Sequence, residues 1–435
     1  MRSEDNELMC RVEPGTPMNE AFKRYWLPAG LSSDLPDPDS DPKRVTMLCE
    51  DYVMFRDSNG KIGFMDELCC HRGASLCLGR VEDSGIRCIF HGWKFAVDGT
   101  IQDMPNESDG KYKNRYRQPA YPVVEKGGFI WVYLGPRDKK PPEPDYYWLQ
   151  YPEDKRDIAP LIFECNYLQA VDGGADSSHL TILHQDALRR PLENARTETR
   201  ERILADAAPR FDVEQTEFGQ FSVAIRKVPG PDGKIADGVR TSAFIAPSTV
   251  LVGGKGAGVC GIAMPITSER TVFYINWFSE SGDAATRDAA MKYQNIDMES
   301  RIRLGIDRAS TDKNEKFSRA NNWTQDRESM KSGTHFTGLP LFIPEDIAVA
   351  ESAGRIFDRS KENLVPADLA IVRIRRTVLS IAQDVMEGRD PIGTQTPVDT
   401  SKIATQEMVI EPGRDWREAA IPAEFQKADR SPPSQ

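Results

Sequence analysis

Two histidines and two aspartates lie within residues 172–184, although the whole chain has only five histidines. Neutral imidazoles together with a carboxylate are the ligand set of non-heme Fe(II) sites, which keep positions open for O2 and substrate. On a regular helix, His179 and His184 would point about 140° apart, whereas Asp176 and His179 would lie close together. If both histidines bind one metal, we expect the helix to break or bulge between them. The alternative is an amphipathic helix with two ordinary histidines.

A second group of chemically active residues lies in the first quarter of the chain, as two Cys/His pairs. Cys69 and His71 are separated by one residue and Cys88 and His91 by two, in the spacing C-x-H-x16-C-x2-H. Two such pairs can bind Zn2+ in a closed tetrahedral site. They can also bind a [2Fe–2S] cluster, with two cysteines on one iron and two histidines on the other. The spacing alone leaves both possibilities open.

The bulk composition narrows the class of protein. With 435 residues, the chain is long enough for two or three domains. The net charge of −11 argues against a nucleic-acid partner, which would require a basic patch. No apolar run reaches the length of a membrane span, and the acidic N-terminus lacks the apolar core of a signal peptide. We therefore expect a cytoplasmic protein that does not bind a membrane.

The first elements that must position these residues belong to a small β domain. Residues 14–31 are predicted to form a turn and a short helix that ends near residues 26–28, and residues 33–43 are predicted to form a loop. Short apolar or alternating segments follow and predict hairpins, at residues 45–49, 52–56 and 62–66. The proline-rich stretch 136–142 reads as a linker. The Cys/His pairs therefore lie on loops of this domain.

The second half of the chain predicts an antiparallel sheet followed by helices. The predicted strands are residues 210–214, 221–228, 239–245, 250–252, 261–265 and 272–278, with a hairpin turn at 267–270. A helix is predicted over roughly 284–306, and a late helix includes 369–379. The polar segment after residue 390 is expected to be a peripheral tail.

The residues around both motifs resemble a known family. His-Arg-Gly from residue 71 and His-Gly-Trp-Lys-Phe from residue 91 resemble the cluster-binding loops of Rieske proteins. Residues 166–184 resemble the iron-binding segment of Rieske non-heme iron oxygenases. The resemblance implies a [2Fe–2S] cluster whose ligands are Cys69, His71, Cys88 and His91.

The same resemblance assigns roles around a mononuclear iron. It implies that His179 and His184 bind Fe(II), and that Asp176 lies between this iron and a cluster histidine of a neighbouring subunit. Asp172 is expected to have a supporting or structural role. Residues 344–352 resemble the family's late helix, so Asp346 is the predicted third ligand. The competing carboxylates are Glu345, Asp358 and Asp368.

Two cysteines depart from the family pattern. Cys70 stands where related oxygenases usually have proline, and we interpret it as a buried small hydrophobic residue. Cys77 stands where an aromatic or aliphatic residue is common.

The resemblance also implies a fold. It is an α+β protein, with an N-terminal all-β Rieske [2Fe–2S] domain inserted near the start of a helix-grip (START-like) catalytic domain with a curved antiparallel sheet. The predicted boundaries are residues 1–43 for an N-terminal helix and loop packing on the catalytic domain, 44–142 for the Rieske domain, 143–393 for the catalytic domain and 394–435 for the peripheral tail.

The implied function is that of the oxygenase (alpha) subunit of a phthalate dioxygenase-like enzyme. Such an enzyme uses O2 to hydroxylate an aromatic, carboxylate-bearing substrate. It works as a homotrimer or stacked hexamer with an NAD(P)H-dependent flavin/[2Fe–2S] reductase. Arg210 and Arg240 are the predicted carboxylate-binding residues, because arginine forks bind carboxylates in two-point geometry. The alternatives are aryl-ether cleavage or O-demethylation by the same class of enzyme, and a non-catalytic electron carrier or zinc-scaffold protein.

Overall fold

Two separate apolar cores divide the chain. The computed structural model describes residues 1–190, 197–230, 233–254, 256–310 and 313–426. The smaller core contains both predicted cluster cysteines, together with apolar side chains such as Phe55, Ile86 and Phe95. The larger core joins the N-terminal helices to the sheet and helices of the second half. The two predicted metal sites therefore belong to different packing units.

The strands of the described chain are antiparallel throughout. They are β1 (Trp26–Leu31), β2 (Lys43–Met47), β3 (Glu50–Arg56), β4 (Ile62–Asp66), β5 (Arg80–Glu82), β6 (Gly85–Arg87), β7 (Lys94–Phe95), β8 (Ile101–Asp103), β9 (Val123–Lys126), β10 (Phe129–Tyr133), β11 (Arg156–Phe163), β12 (Arg210–Thr216), β13 (Gly219–Pro229), β14 (Ile235–Ile245), β15 (Thr249–Gly254), β16 (Ala257–Thr267), β17 (Arg270–Ser279) and β18 (Glu407–Ile410).

The helices lie mostly before and after the large sheet. They are α1 (Ser3–Cys10), α2 (Pro17–Phe22), α3 (Tyr167–Ala175), α4 (Gln185–Arg189), α5 (Thr197–Ala205), α6 (Ala284–Tyr293), α7 (Met298–Leu304), α8 (Lys313–Lys316), α9 (Arg327–Lys331), α10 (Ile343–Ser352), α11 (Leu369–Met386) and α12 (Trp416–Ala420).

Three small sheets form the N-terminal β region. Strands β2, β3 and β4 form one sheet, β5 to β8 form a second, and the order β1-β10-β9 forms a third. The predicted short helix is present as α2 but ends earlier than predicted, at Phe22, because Trp26–Leu31 is a strand that pairs with Phe129–Tyr133. Pro28 is tolerated there because β1 is an edge strand. Strand β1 therefore pairs within this β region, although it precedes the predicted domain boundary at residue 44.

The large sheet has the order β11-β17-β16-β15-β14-β13-β12, and the hairpin turn at residues 267–270 is confirmed. Helix α3 packs against β15 and β16, and α11 packs against β12 and β13. The buried side chains of α11 include Ile371, Ile374, Val378 and Ile381. Their spacing of three or four residues places them on one face of the helix. The expected α+β class, with a sheet gripping helices, is confirmed.

The described residues after 390, which were predicted as a peripheral tail, pack against the large sheet and its core. Glu407–Ile410 forms β18, which pairs with the first half of β14. The side chains of Ile403 and Trp416 are buried in the large core. The predicted helix over 284–306 is also two helices, because Asn295 adopts a left-handed conformation and Asp297 caps the start of α7. No helix in the described chain combines the length and apolarity needed to cross a bilayer.

Candidate iron centres

The chain leaves helical geometry between the two histidines of the 172–184 stretch. Helix α3 ends at Ala175, where Asp176 is extended with φ −78° and ψ 121°. A single 3-10 turn covers His179–Thr181, and His184 precedes α4 outside helical geometry. The side chains of His179 and His184 are therefore not held about 140° apart as on a regular helix, and the predicted break is present. The two imidazole rings lie 5.1 Å apart between centroids.

The side chains of His179, His184 and Asp346 converge. Asp346 Oδ1 lies 3.1 Å from Nε2 of His184 and 3.6 Å from Nε2 of His179. Within the part of the chain that the structure describes, these three side chains form the one His/Cys/carboxylate group whose ligand atoms all lie within 4.8 Å of one another. Two imidazole nitrogens and one carboxylate on one face match the donor set of a non-heme Fe(II) site with open positions.

The competing carboxylates lie elsewhere. Asp358 caps a 3-10 turn through Ser360, and Asp368 accepts a hydrogen bond from the backbone N–H of Val365. Glu345 is fully buried and contacts the opposite nitrogen of the same imidazole, with 2.7 Å between its Oε2 and Nδ1 of His184. Asp346 is therefore the carboxylate that faces both Nε2 atoms.

The two carboxylates on α10 control the protonation of His184 in the metal-free protein. Burial lowers the pKa of His184, but Asp346 and Glu345 outweigh that effect and raise the pKa to about 10. A metal ion at this position replaces the proton, because only the neutral imidazole is a ligand.

Asp176 lies on the other side of His179, away from Asp346. Its Oδ2 is 3.4 Å from Nδ1 of His179, and its Oδ1 accepts hydrogen bonds from the backbone N–H and hydroxyl of Ser178. Burial raises the pKa of Asp176, but the contacts with His179 and Ser178 outweigh it and the net shift is downward. The side chain remains 26% exposed, so this carboxylate is accessible to a second molecule.

Two arginines on neighbouring strands of the large sheet hold the loop between Asp176 and His179. Arg226 on β13 donates to the carbonyl of Ser177 over 2.8 Å, and Arg240 on β14 contacts the Ser177 hydroxyl at 3.3 Å. Burial and the nearby Arg240 guanidinium lower the pKa of Arg226 to about 10. Asp172 forms ion pairs with Arg359 and Arg375, in agreement with its expected structural role.

A cavity of about 1560 Å3 opens beside the three converging side chains. Its wall includes His179, Asp346 and apolar side chains such as Phe273 and Trp277. A cavity of this size, whose surface is mostly apolar but includes charged side chains, fits an organic small molecule that also carries polar groups.

Only one of the two predicted substrate-binding arginines lines this cavity. Arg210 is exposed on the edge strand β12 and is not part of the cavity lining. Arg240 lines the cavity, but its Nε donates to Glu407 over 2.9 Å. A guanidinium already paired with a carboxylate is poorly suited to bind a second one.

The Cys/His pairs lie on two similar loops of the β region. The backbone N–H of Gly73 donates to the carbonyl of Cys69, and that of Gly92 donates to Cys88. Both glycines have positive φ, of 73° and 78°, which suits these tight turns. The rings of His71 and His91 are 4.6 Å apart, so the two loops face each other.

The donor atoms of these loops fit a cluster. The Nδ1 atom of His91 is buried and has no hydrogen-bond partner. Burial raises the pKa of the Cys69 thiol to about 12, although the backbone N–H of His71 opposes this shift. A buried thiolate at this position therefore needs a cation.

The separation of the Cys and His donor atoms on the two loops distinguishes between a Zn2+ site and a [2Fe–2S] cluster, which the sequence spacing alone left open. Around one tetrahedral Zn2+, the donor atoms would lie within ~4 Å of one another. No three of the Cys/His donors meet even a 4.8 Å limit in the described chain. The wider arrangement fits a two-iron cluster with cysteines at one end and histidines at the other.

Comparison with known proteins agrees with both centres. Residues 25–122 match the Rieske [2Fe-2S] domain family, and residues 132–432 match the family described as LigXa C-terminal domain like. The phthalate 4,5-dioxygenase oxygenase subunit of Pseudomonas putida is 34% identical over 95% of this chain and 94% of its own length. The chain belongs to the Rieske non-heme iron oxygenases.

Other relatives carry names from the same class of oxygenase. The 3-chlorobenzoate-3,4-dioxygenase oxygenase subunit of Comamonas testosteroni is 33% identical, over 87% of this chain and 88% of its own length. A crystal structure of dicamba monooxygenase shares the fold of this Rieske oxygenase with a TM-score of 0.58. It is 18% identical and covers 84% of this chain and 99% of its own. The expected [2Fe–2S] cluster and mononuclear iron are thus confirmed as the cofactors of this family.

The structure corrects the interpretation of Cys70 in this Rieske oxygenase. Cys70 is exposed, whereas Cys69 and Cys88 are buried. Its backbone N–H donates to Gln118, so the backbone rather than the side chain is fixed. The prediction that Cys70 is a buried hydrophobic residue was wrong.

Sequence reasoning missed several residues around the iron site. Arg226 directly follows the apolar run 223–225 in a predicted strand, and a charge at such a position is a signal of a buried polar contact. Glu407 pairs with Arg240 from a segment interpreted as peripheral. Arg200 on α5 lines the cavity, but its local sequence is polar and gave no sign of a buried face.

Proposed function

We propose that this chain is the terminal oxygenase component of an enzyme that hydroxylates an aromatic acid. The observation that carries the proposal is the position of the His179/His184/Asp346 group, in the wall of a large and mostly apolar cavity. In this proposal, O2 is a substrate and electrons come from an NAD(P)H-dependent flavin/[2Fe–2S] reductase. Membership of the Rieske oxygenases supports both.

The proposed ligands divide the chemistry between the two centres. Cys69, His71, Cys88 and His91 hold the cluster, and His179, His184 and Asp346 hold the mononuclear iron. When bound, the cluster stores electrons and the Fe(II) activates O2. Arg226 and Arg240 fix the loop that carries the first iron ligand, through Ser177.

Asp176 is proposed to connect the two centres between subunits of a homotrimer or stacked hexamer. Its carboxylate contacts His179 and keeps a partly exposed edge that can meet a cluster histidine of the neighbouring subunit. The cluster loop also exposes Ile89 and Phe90, and Ile182 is exposed beside the iron ligands. Apolar side chains of this kind suit a subunit contact.

Arg200 is proposed to bind the substrate carboxylate in place of Arg210 and Arg240. It donates to the hydroxyl of Tyr293 and to the carbonyl of Arg190, which uses two of its five N–H donors. Among the described residues, no carboxylate pairs with it. A cation on the cavity wall without an anionic partner favours an anionic ligand.

Substrate-dependent O2 uptake tests the proposal. The iron-loaded protein is supplied with NADH and a flavin/[2Fe–2S] reductase, and benzoates, phthalates and methoxybenzoates are compared with uncharged aromatic analogues. We expect uptake with at least one aromatic acid and a hydroxylated product. Formaldehyde from a methoxybenzoate would instead indicate O-demethylation. Uptake with uncharged aromatics alone would refute the carboxylate preference.

A further inference from the structure

The imidazole of His184 lies between two consecutive residues of α10. Asp346 faces its Nε2 and Glu345 faces its Nδ1, at 3.1 Å and 2.7 Å. Consecutive helical residues point about 100° apart, so both carboxylates can reach one ring from its two edges. The ring is 1% exposed and the Glu345 side chain 0% exposed, so water does not compete for the contact between these two residues.

Glu345 has no arginine or lysine partner in the described chain. Its Oε1 accepts a hydrogen bond from the Thr337 hydroxyl over 2.6 Å. Its Oε2 accepts one from the backbone N–H of Phe342 over 2.9 Å, besides its contact with His184. Burying a carboxylate is costly unless donors or a positive charge compensate it. Here the compensation comes from two hydrogen bonds and one imidazole.

The backbone between Thr337 and Glu345 is strained at Phe342, whose side chain covers the His184 ring. Phe342 has φ +69°, in a region that non-glycine residues rarely adopt. Its ring stacks on His184 at 4.6 Å with an interplanar angle of 8°. Strained residues persist when surrounding contacts determine them. The hydrogen bond from Phe342 to Glu345 is such a contact.

We infer that Glu345 is a positioning residue for the mononuclear iron. It accepts the proton of His184 Nδ1, so Nε2 presents its lone pair to the metal, and it holds Phe342 in place against the ring. Carboxylates behind metal-bound imidazoles act in this way, by fixing the tautomer and raising the basicity of the ligand. The inference rests on the proposed role of His184 as an iron ligand.

Fe(II) affinity of the mononuclear site tests the inference, measured by competition with a ferrous chelator. We expect Glu345→Ala to weaken this affinity by about 10- to 100-fold. We expect Glu345→Gln to weaken it less, because the amide oxygen still accepts a hydrogen bond from Nδ1. Cluster content, from labile sulfide and visible absorbance, should be unchanged in both.

A spectroscopic readout separates positioning from a general structural role. With Co2+ in the mononuclear site, both Glu345 variants should alter the ligand-field bands, because the basicity and orientation of His184 change. The matched control is Glu351→Gln, a second buried carboxylate on α10 that accepts hydrogen bonds from the backbone of Glu164 and from Trp323. This control should keep both the native affinity and the native Co2+ spectrum.

The variant His184→Ala distinguishes an error in the proposed iron site from an error in the positioning role of Glu345. Native iron affinity in His184→Ala would refute the proposed iron site itself. If His184→Ala loses iron while both Glu345 variants keep native affinity and the native Co2+ spectrum, the positioning role alone is refuted. Should Glu345→Ala not fold, an unchanged affinity and spectrum in Glu345→Gln would still overturn the inference.

Discussion

Asp346 Oδ1 lies 3.1 Å from Nε2 of His184, although 162 positions separate the two residues in the chain. The contact depends on the end of α3 at Ala175 and on the first turn of α10. The proposed iron site is thus assembled by the tertiary fold rather than by a local motif.

Replacing Asp346 with alanine should deplete the mononuclear iron and spare the cluster. The two imidazoles alone would leave the metal without its anionic ligand, whereas the Cys/His loops belong to a different core. Metal analysis with sulfide determination measures both centres in one sample. Asp358→Ala is the matched control, because the Asp358 side chain is 43% exposed and caps a 3-10 turn instead. Full retention of iron in Asp346→Ala would move the third ligand elsewhere.

Iron binding should release protons near neutral pH. In the metal-free protein, the pKa of His184 is raised to about 10 by Asp346 and Glu345, so the ring is protonated at pH 7.5. Fe(II) requires the neutral ring, so about one proton should leave His184 per iron bound, and affinity should rise with pH until the pKa is reached. Calorimetric titrations in buffers of different ionisation enthalpy count the protons. No release at pH 7.5 would contradict the proposed coordination of His184.

Replacing Arg200 with glutamine should selectively impair the turnover of aromatic acids. Losing a charge-assisted hydrogen bond to a carboxylate should lower kcat/KM by about 10- to 100-fold. Uncharged analogues that are turned over at all should be affected much less. Arg210→Gln serves as the control because Arg210 is exposed on β12 and outside the cavity wall. An equal loss in both variants would argue against a role for Arg200 in carboxylate binding.

Local patterns predicted the chemistry better than they predicted the surroundings of the site. The 140° conflict between His179 and His184 required a break in the helix, and the structure has one. The two Cys/His pairs and the residues that flank them likewise lie on short loops. In both cases the local structure is determined by residues close together in the chain, so it could be predicted from the local sequence.

Contacts between distant segments were the part that the sequence did not predict. Arg240 is paired with Glu407, which is 167 positions away, and Trp26–Leu31 finds its partner strand about a hundred residues later. Neither pairing leaves a local signal in the sequence. The position of Arg210 relative to the cavity could not be predicted either, because its place in a strand does not reveal which face or edge of the sheet it occupies.

Single-turnover kinetics of native protein and Asp176→Asn provide the most direct test of coupling between the two centres. The cluster is reduced anaerobically and then mixed with O2 and an aromatic acid, while cluster absorbance and product are followed together. Asparagine keeps the size of the side chain but removes its charge, so both metals should stay bound. We predict that cluster re-oxidation and product formation occur together in the native protein and slow by about 100-fold in Asp176→Asn. Equal rates in the two proteins, with both metals present, would contradict the claim that Asp176 connects the cluster to the iron.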